Sequence, residues 1–442
     1  MPKASGRGRP APPGAAAPLL LRLVRFSPYT RLMRVFILSL LLASPALADP
    51  ALNGETPPEQ QAGGHMAYTG TDAGFQDWLT AFRPRALAAG IAPATLDALG
   101  GLTFAAEVVE KDRNQSEFTK PIWTYLDSAA SEDRIAAGIK ALDRNRALFD
   151  RLDAAYGVDR EIIAAIWGLE SAYGSFRGDI PTLQALASLA YDGRRGAFFE
   201  GQLIEALKIV QDRHIPAADM RGSWAGAMGH TQFMPSSFWT FAVDFDGDGR
   251  RDIWGDDPTD ALASTAAYLS KSGWTKGMPW GVEVTLPEGF DYVQTTERVK
   301  KPVADWQAMG VRLADGGALP DHGLASVLLP AGHRGAAFLI FANFQVIESY
   351  NKADAYVIGV GHLADRLKGG APIRAGWPRE DRALTRDERV ELQRLLTAAG
   401  FDAGGVDGLM GPKTIAAVKA WQLAQGLVPD GYANSAVLER LR

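Results

Sequence analysis

The sequence contains no cysteine. Disulfides, thiolate metal sites, a cysteine nucleophile and lipid attachment through cysteine are all excluded. Histidine is sparse. The six residues His65, His214, His230, His322, His333 and His362 form no HExxH pattern and no close pair, which argues against a zinc hydrolase. Positive charge is not in excess: 46 Lys and Arg stand against 51 Asp and Glu, a formal net of −5, so there is no global footprint for nucleic acid. What is present is ordinary globular composition, 47% hydrophobic and 22% charged over 442 residues. That length supports two or three domains and a sizeable core.

The N-terminus is basic. Residues 1–48 carry Lys3, Arg7, Arg9, Arg22, Arg25, Arg31 and Arg34 and no acidic residue. A short apolar run from Val35 to Ala43 and then Ser-Pro-Ala46-Leu-Ala48 follow. A basic region, an apolar stretch too short to span a bilayer and an A-x-A site predict a cleaved signal peptide over 1–48. Met33-Arg34 would start a compact leader by itself. Losing seven basic residues takes the formal charge from −5 to −12. The expected product is an acidic, exported, periplasmic protein without a membrane anchor.

Residues 49–72, rich in Pro, Gly, Gln and Ala, read as a flexible linker. From Gly74 to about Leu148 apolar residues recur at spacings of three and four, for example Phe75, Trp78, Leu79 and Phe82, which predicts helices. Residues 149–277 continue as helices broken by Gly-rich loops. Alternation in Val282-Glu-Val-Thr-Leu and the apolar run Ala325-Ser-Val-Leu-Leu predict a small β insertion over about 281–335. Helix is expected again over 338–367. Residues 368–383 form a second linker, and 384–442 an independent small domain.

That last segment repeats weakly. Gly400-Phe401, Val406-Asp407-Gly408 and Thr414 are echoed by Gly426-Leu427, Pro429-Asp430-Gly431 and Ser435. Each half reads as a helix end, a Gly cap, an Asp-Gly turn and a Thr or Ser near the next helix start. Thr385-x-x-Glu388 fits a capping box. The pattern predicts a three-helix unit, and the segment resembles the peptidoglycan-binding domain found in many cell-wall enzymes. Trp421-Gln422 stands where that family usually has Phe-Gln.

Ile163, Ile166, Trp167 and Glu170 fall on one helical face. Glu170 therefore lies on an apolar stripe at its helix end, where desolvation should raise its pKa. A protonated carboxyl facing a cleft is what a general acid needs; a Glu satisfied by an Arg or by backbone amides is the structural alternative. In Gly222–Gly229 small residues permit close approach of chain or ligand. Ser223 and Gln232 are uncharged hydrogen-bonding groups suited to sugar hydroxyls and acetamides.

Three runs carry a specific resemblance: Ala165-Ile-Trp-Gly-Leu-Glu-Ser-Ala-Tyr-Gly; Gly222-Ser-Trp-Ala-Gly-Ala-Met-Gly with Gln232-Phe-Met-Pro-Ser-Ser; and Ala242-Val-Asp-Phe-Asp-Gly-Asp-Gly. From about Phe75 to Leu367 the chain resembles the lytic murein transglycosylase B family. The resemblance implies a mainly α, lysozyme-like catalytic region (73–367) whose partners are peptidoglycan glycan strands. It implies cleavage of the β-1,4 bond between N-acetylmuramic acid and N-acetylglucosamine with 1,6-anhydromuramic ends and no cofactor for chemistry. Glu170 matches the single acid/base. Ser223, Gln232, Tyr350, Asn351 and Tyr356 match residues of the cleft, as do Tyr125, Arg194, Arg195 and Tyr268. A muramidase that adds water and a catalytically inactive wall-binding protein are the alternatives. Glu161 lies on the opposite helical face from Glu170, while Glu200 and Asp192 remain open as further carboxylates.

Asp244, Asp246, Asp248 and Gly249 follow the start of an EF-hand loop, with the Arg250 carbonyl at position 7. Position 12 is Gly255, so Asp256, Asp257 or Asp260 would have to serve. Some members of the resembled family bind calcium at such a loop. A structural calcium held by Asp244, Asp246, Asp248, Arg250 and Asp260 is one reading, and a plain Asp-Gly turn is the other.

Overall fold

The computed structural model describes residues 70–113 and 120–442. The expected signal peptide and nearly all of the first linker lie outside the described residues. The chain first forms α1 (Asp72–Ala88), α2 (Pro93–Leu96), α3 (Ala106–Arg113), α4 (Ile122–Ala129), α5 (Glu132–Arg144), α6 (Arg146–Tyr156) and α7 (Arg160–Ser171). Local chemistry sets the starts. Thr71 accepts from Gly74 N to cap α1, and Ser131 accepts from Arg134 N to cap α5. Phe75, Leu79, Phe82 and Ala86 then bury one stripe of α1.

Helix α7 departs from the one-sided stripe its sequence suggests, because every residue from Ile162 to Ser171 is buried. It is the central helix, with α5, α6, α11 (Thr259–Lys271) and α14 (Asp354–Leu367) packed around it. Gly168 makes room for the Tyr173 ring, which a Cβ there would approach to 2.6 Å. Between α7 and α11 come β1 (Ile180–Pro181), α8 (Thr182–Asp192), α9 (Gly196–Gln211), β2 (Arg221–Gly222) and α10 (Pro235–Phe241). The β1–β2 pair sets Ile180 opposite Gly222 and ties the Ser223 loop to the segment that follows α7.

The insertion is β3 (Gly281–Thr285), β4 (Lys301–Pro302), α12 (Val303–Ala308), β5 (Arg312–Leu313), β6 (Leu324–Leu328) and β7 (Ala337–Ile340). These strands form one antiparallel sheet in the order β4-β6-β7-β3-β5. Residues 338–340, expected to be helical, are the central strand β7, so the insertion runs past 335. The reason is burial on both faces. Leu339 and Ala337 join a separate core around Trp306, while Phe338 and Ile340 pack into the helical body. A strand without a solvent face shows no alternation. Helix resumes only with α13 (Ala342–Tyr350) and α14.

Residues 368–383 are not a free tether. The Glu283 carboxylate accepts from Arg374 N and Ala375 N, Arg379 pairs with Asp127 through both carboxylate oxygens, and Trp377 lies against Trp123. The C-terminal unit has three helices, α15 (Arg386–Ala398), α16 (Pro412–Ala424) and α17 (Ser435–Leu441), around Leu392, Leu396, Val418, Trp421 and Leu438. The Thr385–Glu388 capping box is formed. Thr414 and Ser435 lie in the first turns of their helices, near the starts as expected. Gly411 precedes Pro412 at the start of α16, Asn434 caps α17, and Thr414 is buried inside its helix.

Candidate functional site

Glu170 lies in the last turn of α7 and is 5% exposed. The Tyr356 hydroxyl, from α14, donates to its Oε1 at 2.6 Å, while its Oε2 is buried without a partner. Burial pushes the carboxyl up to about 8, against a smaller lowering by the Tyr356 bond. The acid form therefore prevails at neutral pH. With Oε1 held as an acceptor, Oε2 is the oxygen that carries the proton.

The chain just after Glu170 is held in an uncommon shape. Ala172 and Tyr173 have φ of 47° and 59°, and Gln232 has 53°. Left-handed backbone at non-glycine residues persists only where the surroundings over-determine it, and such residues cluster at functional sites. The determinants are visible here. Tyr173 donates its hydroxyl to Arg134 O. Ser171 Oγ donates to His230 O at 2.6 Å and accepts from Gly174 N at 3.0 Å. Trp167 Nε1 donates to His230 Nδ1 at 3.1 Å, so the His230 Nε2 proton must go to Gly255 O at 2.7 Å. Burial lowers the His230 pKa, and the ring is neutral in that tautomer. His230 thus fastens α7 to the loop that carries Gln232. The sequence offered one signal for it, its place two residues before Gln232.

The loop residues present defined atoms. Gln232 Nε2 donates to both Arg177 O and Gly229 O, which leaves Oε1 to accept from outside. Ser223 Oγ accepts from Ala227 N and keeps its own proton to donate. Asn351 Oδ1 accepts from Ala353 N, leaving Nδ2 as a donor. Tyr350 is half-buried, donates to Thr231 O at 2.5 Å, and packs edge-on against Phe233 and at a tilt against Tyr268.

Four expected cleft residues are placed differently from these. Tyr268 is 7% exposed and donates to Ser349 O, so it supports Tyr350 from behind. Tyr125 packs on α14 against Gly359. Arg194 and Arg195 both bind the Asp112 carboxylate of α3, and Arg195 also covers Phe199. Burying that carboxylate requires them, and no contact among the described residues brings either to Glu170. The other carboxylates are also occupied: Glu200 by Arg85, Asp192 by Arg113, and Glu161 by the more distant Lys368.

In the aspartate loop, Asp244, Asp246 and Asp248 are exposed, with ligand atoms within 4.8 Å of one another. That donor set suits a hard cation. Asp260 does not join it. Its Oδ1 accepts from Phe245 N and its Oδ2 from Asp252 N, so it staples the loop from inside. Asp256 pairs with Arg177, and Asp257 accepts from Thr259 at the start of α11. Each of the three carboxylates is thus engaged within the chain.

Sequence and structure comparisons agree with one another. Residues 74–365 match the model of the transglycosylase SLT domain family, and 385–441 match a peptidoglycan binding domain. The chain is 34% identical over 250 residues to membrane-bound lytic murein transglycosylase B of Escherichia coli, spanning 55% of this chain and 66% of that protein. Among solved structures, SltB3 of Pseudomonas aeruginosa in complex with NAG-anhNAM-pentapeptide superposes with a TM-score of 0.81 at 51% identity, over 83% of this chain and 99% of that one. Slt35 of Escherichia coli in complex with calcium superposes with a TM-score of 0.56 at 29% identity, over 67% and 93%.

Proposed function

This chain belongs to the transglycosylase SLT domain family, and on that premise we propose that it cleaves peptidoglycan between N-acetylmuramic acid and N-acetylglucosamine, with Glu170 as sole acid/base. The carrying observation is the buried Glu170 carboxyl at the end of α7, bonded only through Oε1 to Tyr356 and pushed up to about 8 by burial. Oε2 gives its proton to the leaving glycosidic oxygen as the C1–O bond breaks. The resulting carboxylate then takes the proton of the same sugar's 6-hydroxyl, whose oxygen closes onto C1. The product is a 1,6-anhydro ring, and the proton count on Glu170 is restored. The substrate's 2-acetamido group can stabilise the intervening cation, which removes the need for the second carboxylate of an ordinary glycosidase. A relative solved with NAG-anhNAM-pentapeptide is consistent with such a product.

Gln232 Oε1, Asn351 Nδ2 and the Ser223 hydroxyl would bind sugar hydroxyls and acetamides. Calcium would bind Asp244, Asp246 and Asp248, with the Arg250 carbonyl, in a structural role. Without a carboxylate at position 12 it would be a weak site. Export through the 1–48 leader would bring the enzyme to its wall substrate. Among the described residues no helix is long and apolar enough to cross a membrane. Digestion of purified sacculi followed by mass analysis tests the chemistry. Anhydro ends are expected, and reducing ends would instead assign a muramidase.

A further inference from the structure

His230 is a titratable side chain set between the two halves of the site, and the proton transfers of Glu170 do not use it. Both of its ring nitrogens are committed. Nδ1 accepts the Trp167 indole proton at 3.1 Å, and Nε2 meets Gly255 O at 2.7 Å. This pair of bonds needs the neutral ring, because an imidazolium carries a proton on each nitrogen and accepts none. On one side of the ring, Trp167 stands one helical turn before Glu170 on α7. On the other, the residues that follow His230 belong to the cleft. Thr231 O holds the Tyr350 hydroxyl, and Gln232 Nε2 bonds to Arg177 O and Gly229 O.

A proton on Nδ1 would face the Trp167 indole N–H, donor against donor. The new charge would also face Arg177, whose Nη1 lies 3.4 Å from His230 Nε2 and donates to Trp254 O and Gly255 O. Gly255 O, Asp252 and Asp256 favour the charged ring, but burial outweighs them and holds the pKa below the ordinary 6.5. Both acids have other work. Asp256 pairs with Arg177 at 2.8 Å, and Asp252 Oδ1 accepts from Trp254 N and Gly255 N. The ring has no room to turn aside. A Cβ on Gly174 would lie 2.6 Å from its Cε1 and Nδ1, and Gly174 ends the left-handed turn that follows Glu170. An imidazolium must therefore displace the end of α7, that turn or the Gln232 loop.

We infer that His230 is a positioning residue for glycosidic cleavage, and that its protonation uncouples Glu170 from the Gln232 loop and shuts cleavage down on the acid side. This rests on the reading of Glu170 as acid/base. Two ionisations then bound activity from opposite sides: Glu170 must keep its proton, and His230 must lack its second one.

The test follows kcat/KM of the full chain on soluble glycan fragments across the acid range, since that ratio reports ionisations of the free enzyme. In parallel, the His230 ring and the Trp167 indole N–H of labelled wild type are titrated by magnetic resonance. Below a midpoint under 6.5, kcat/KM should fall by about tenfold per pH unit, the slope of a single ionisation. The ring and the indole should titrate with that same midpoint, while circular dichroism shows the fold intact. His230→Asn keeps an acceptor near the place of Nδ1 and cannot gain a proton. Whatever its absolute rate, its acid limb should vanish. If His230→Asn does not fold, the coincidence of midpoints in wild type decides by itself. A limb that persists in His230→Asn, or a ring still neutral where wild-type activity falls, would overturn the assignment. The limb would then belong to Glu297 and Asp354, whose carboxyl pKa values burial also raises. Activity lost only in step with unfolding, or a flat acid side in wild type, would overturn it as well. A Glu170→Gln chain as active as wild type would sink the reading of Glu170 and this proposal with it.

Discussion

Glu170 is costly to bury as an anion, and that cost is what raises its pKa. Its folded pKa of about 8 lies above the ordinary 4.5. The folded chain therefore holds a proton that the unfolded chain releases. The sign follows from linkage: stability is full below 4.5 and falls as pH rises toward and through 8. Glu170→Gln removes the titrating group and keeps the shape. Its melting temperature should exceed that of wild type by a margin that grows between pH 5 and 8, while the digestion rate falls at least the roughly 10²–10⁴-fold typical of general acid–base assistance. Equal melting at all pH values, or near wild-type digestion, would contradict this role. Tyr356→Phe removes the bond that lowers the Glu170 pKa. The alkaline limb of its pH–rate profile should move upward, and an unmoved limb would deny the Tyr356 bond its part. Glu170's apolar surroundings were legible in the sequence from its spacing with Ile163, Ile166 and Trp167. The Tyr356 hydrogen bond was not, because it joins residues 186 positions apart.

At the scale of elements, the site is a helix end and a loop fastened together. Its fasteners, Ser171 and His230, act through backbone carbonyls of a chain that comes near only on folding. Residue type alone therefore did not reveal them. Strand β7 escaped for a related reason, since Phe338-Leu-Ile is buried on both faces and shows no period. The family resemblance implied cleft positions for Arg194 and Arg195, and Asp112, distant in the chain, engages both. The aspartate loop divides between two roles that its spacing did not separate. Asp244, Asp246 and Asp248 crowd negative charge outward, whereas Asp260 holds the loop inward. Calcium should raise the melting temperature of the wild type, and chelator should lower it, by linkage to a ligand bound only when folded. Asp246→Ala with Asp248→Ala should abolish that response. Asp260→Ala should lower the melting temperature even in chelator, because it strips the acceptor from Phe245 N and Asp252 N. A calcium-insensitive wild type would leave an Asp-Gly turn without metal.

For the whole molecule, the question is how a wall-binding module can be both a separate fold and part of the catalytic body. The module has its own core around Trp421 and Leu392. It is also joined to the insertion through Lys419, 8% exposed, whose ammonium donates to Tyr292 O at 3.1 Å and to Thr295 Oγ1 at 2.8 Å. Desolvation lowers the Lys419 pKa to about 8. Between there and its ordinary value of 10.5 the folded chain holds fewer protons than the unfolded one, so the lysine's burial costs less as pH rises above 8. Lys419→Ala removes these donors without touching the module's core. The strap 368–383 keeps its ties to Asp127 and Glu283, and the variant should stay folded while the module swings free. Limited proteolysis should then cut between the strap and α15 faster than in wild type. A chain ending at residue 383 should still cut short soluble glycan fragments, because Glu170, Tyr356 and the Gln232 loop take no contact from the module. It should be released from insoluble sacculi, since a tethered module raises the local concentration of enzyme at the wall. A folded truncation that no longer cuts soluble fragments would show that the module completes the site. Unchanged proteolysis of Lys419→Ala would show that His333 and Asp430, joined by hydrogen bonds, hold the two parts together by themselves.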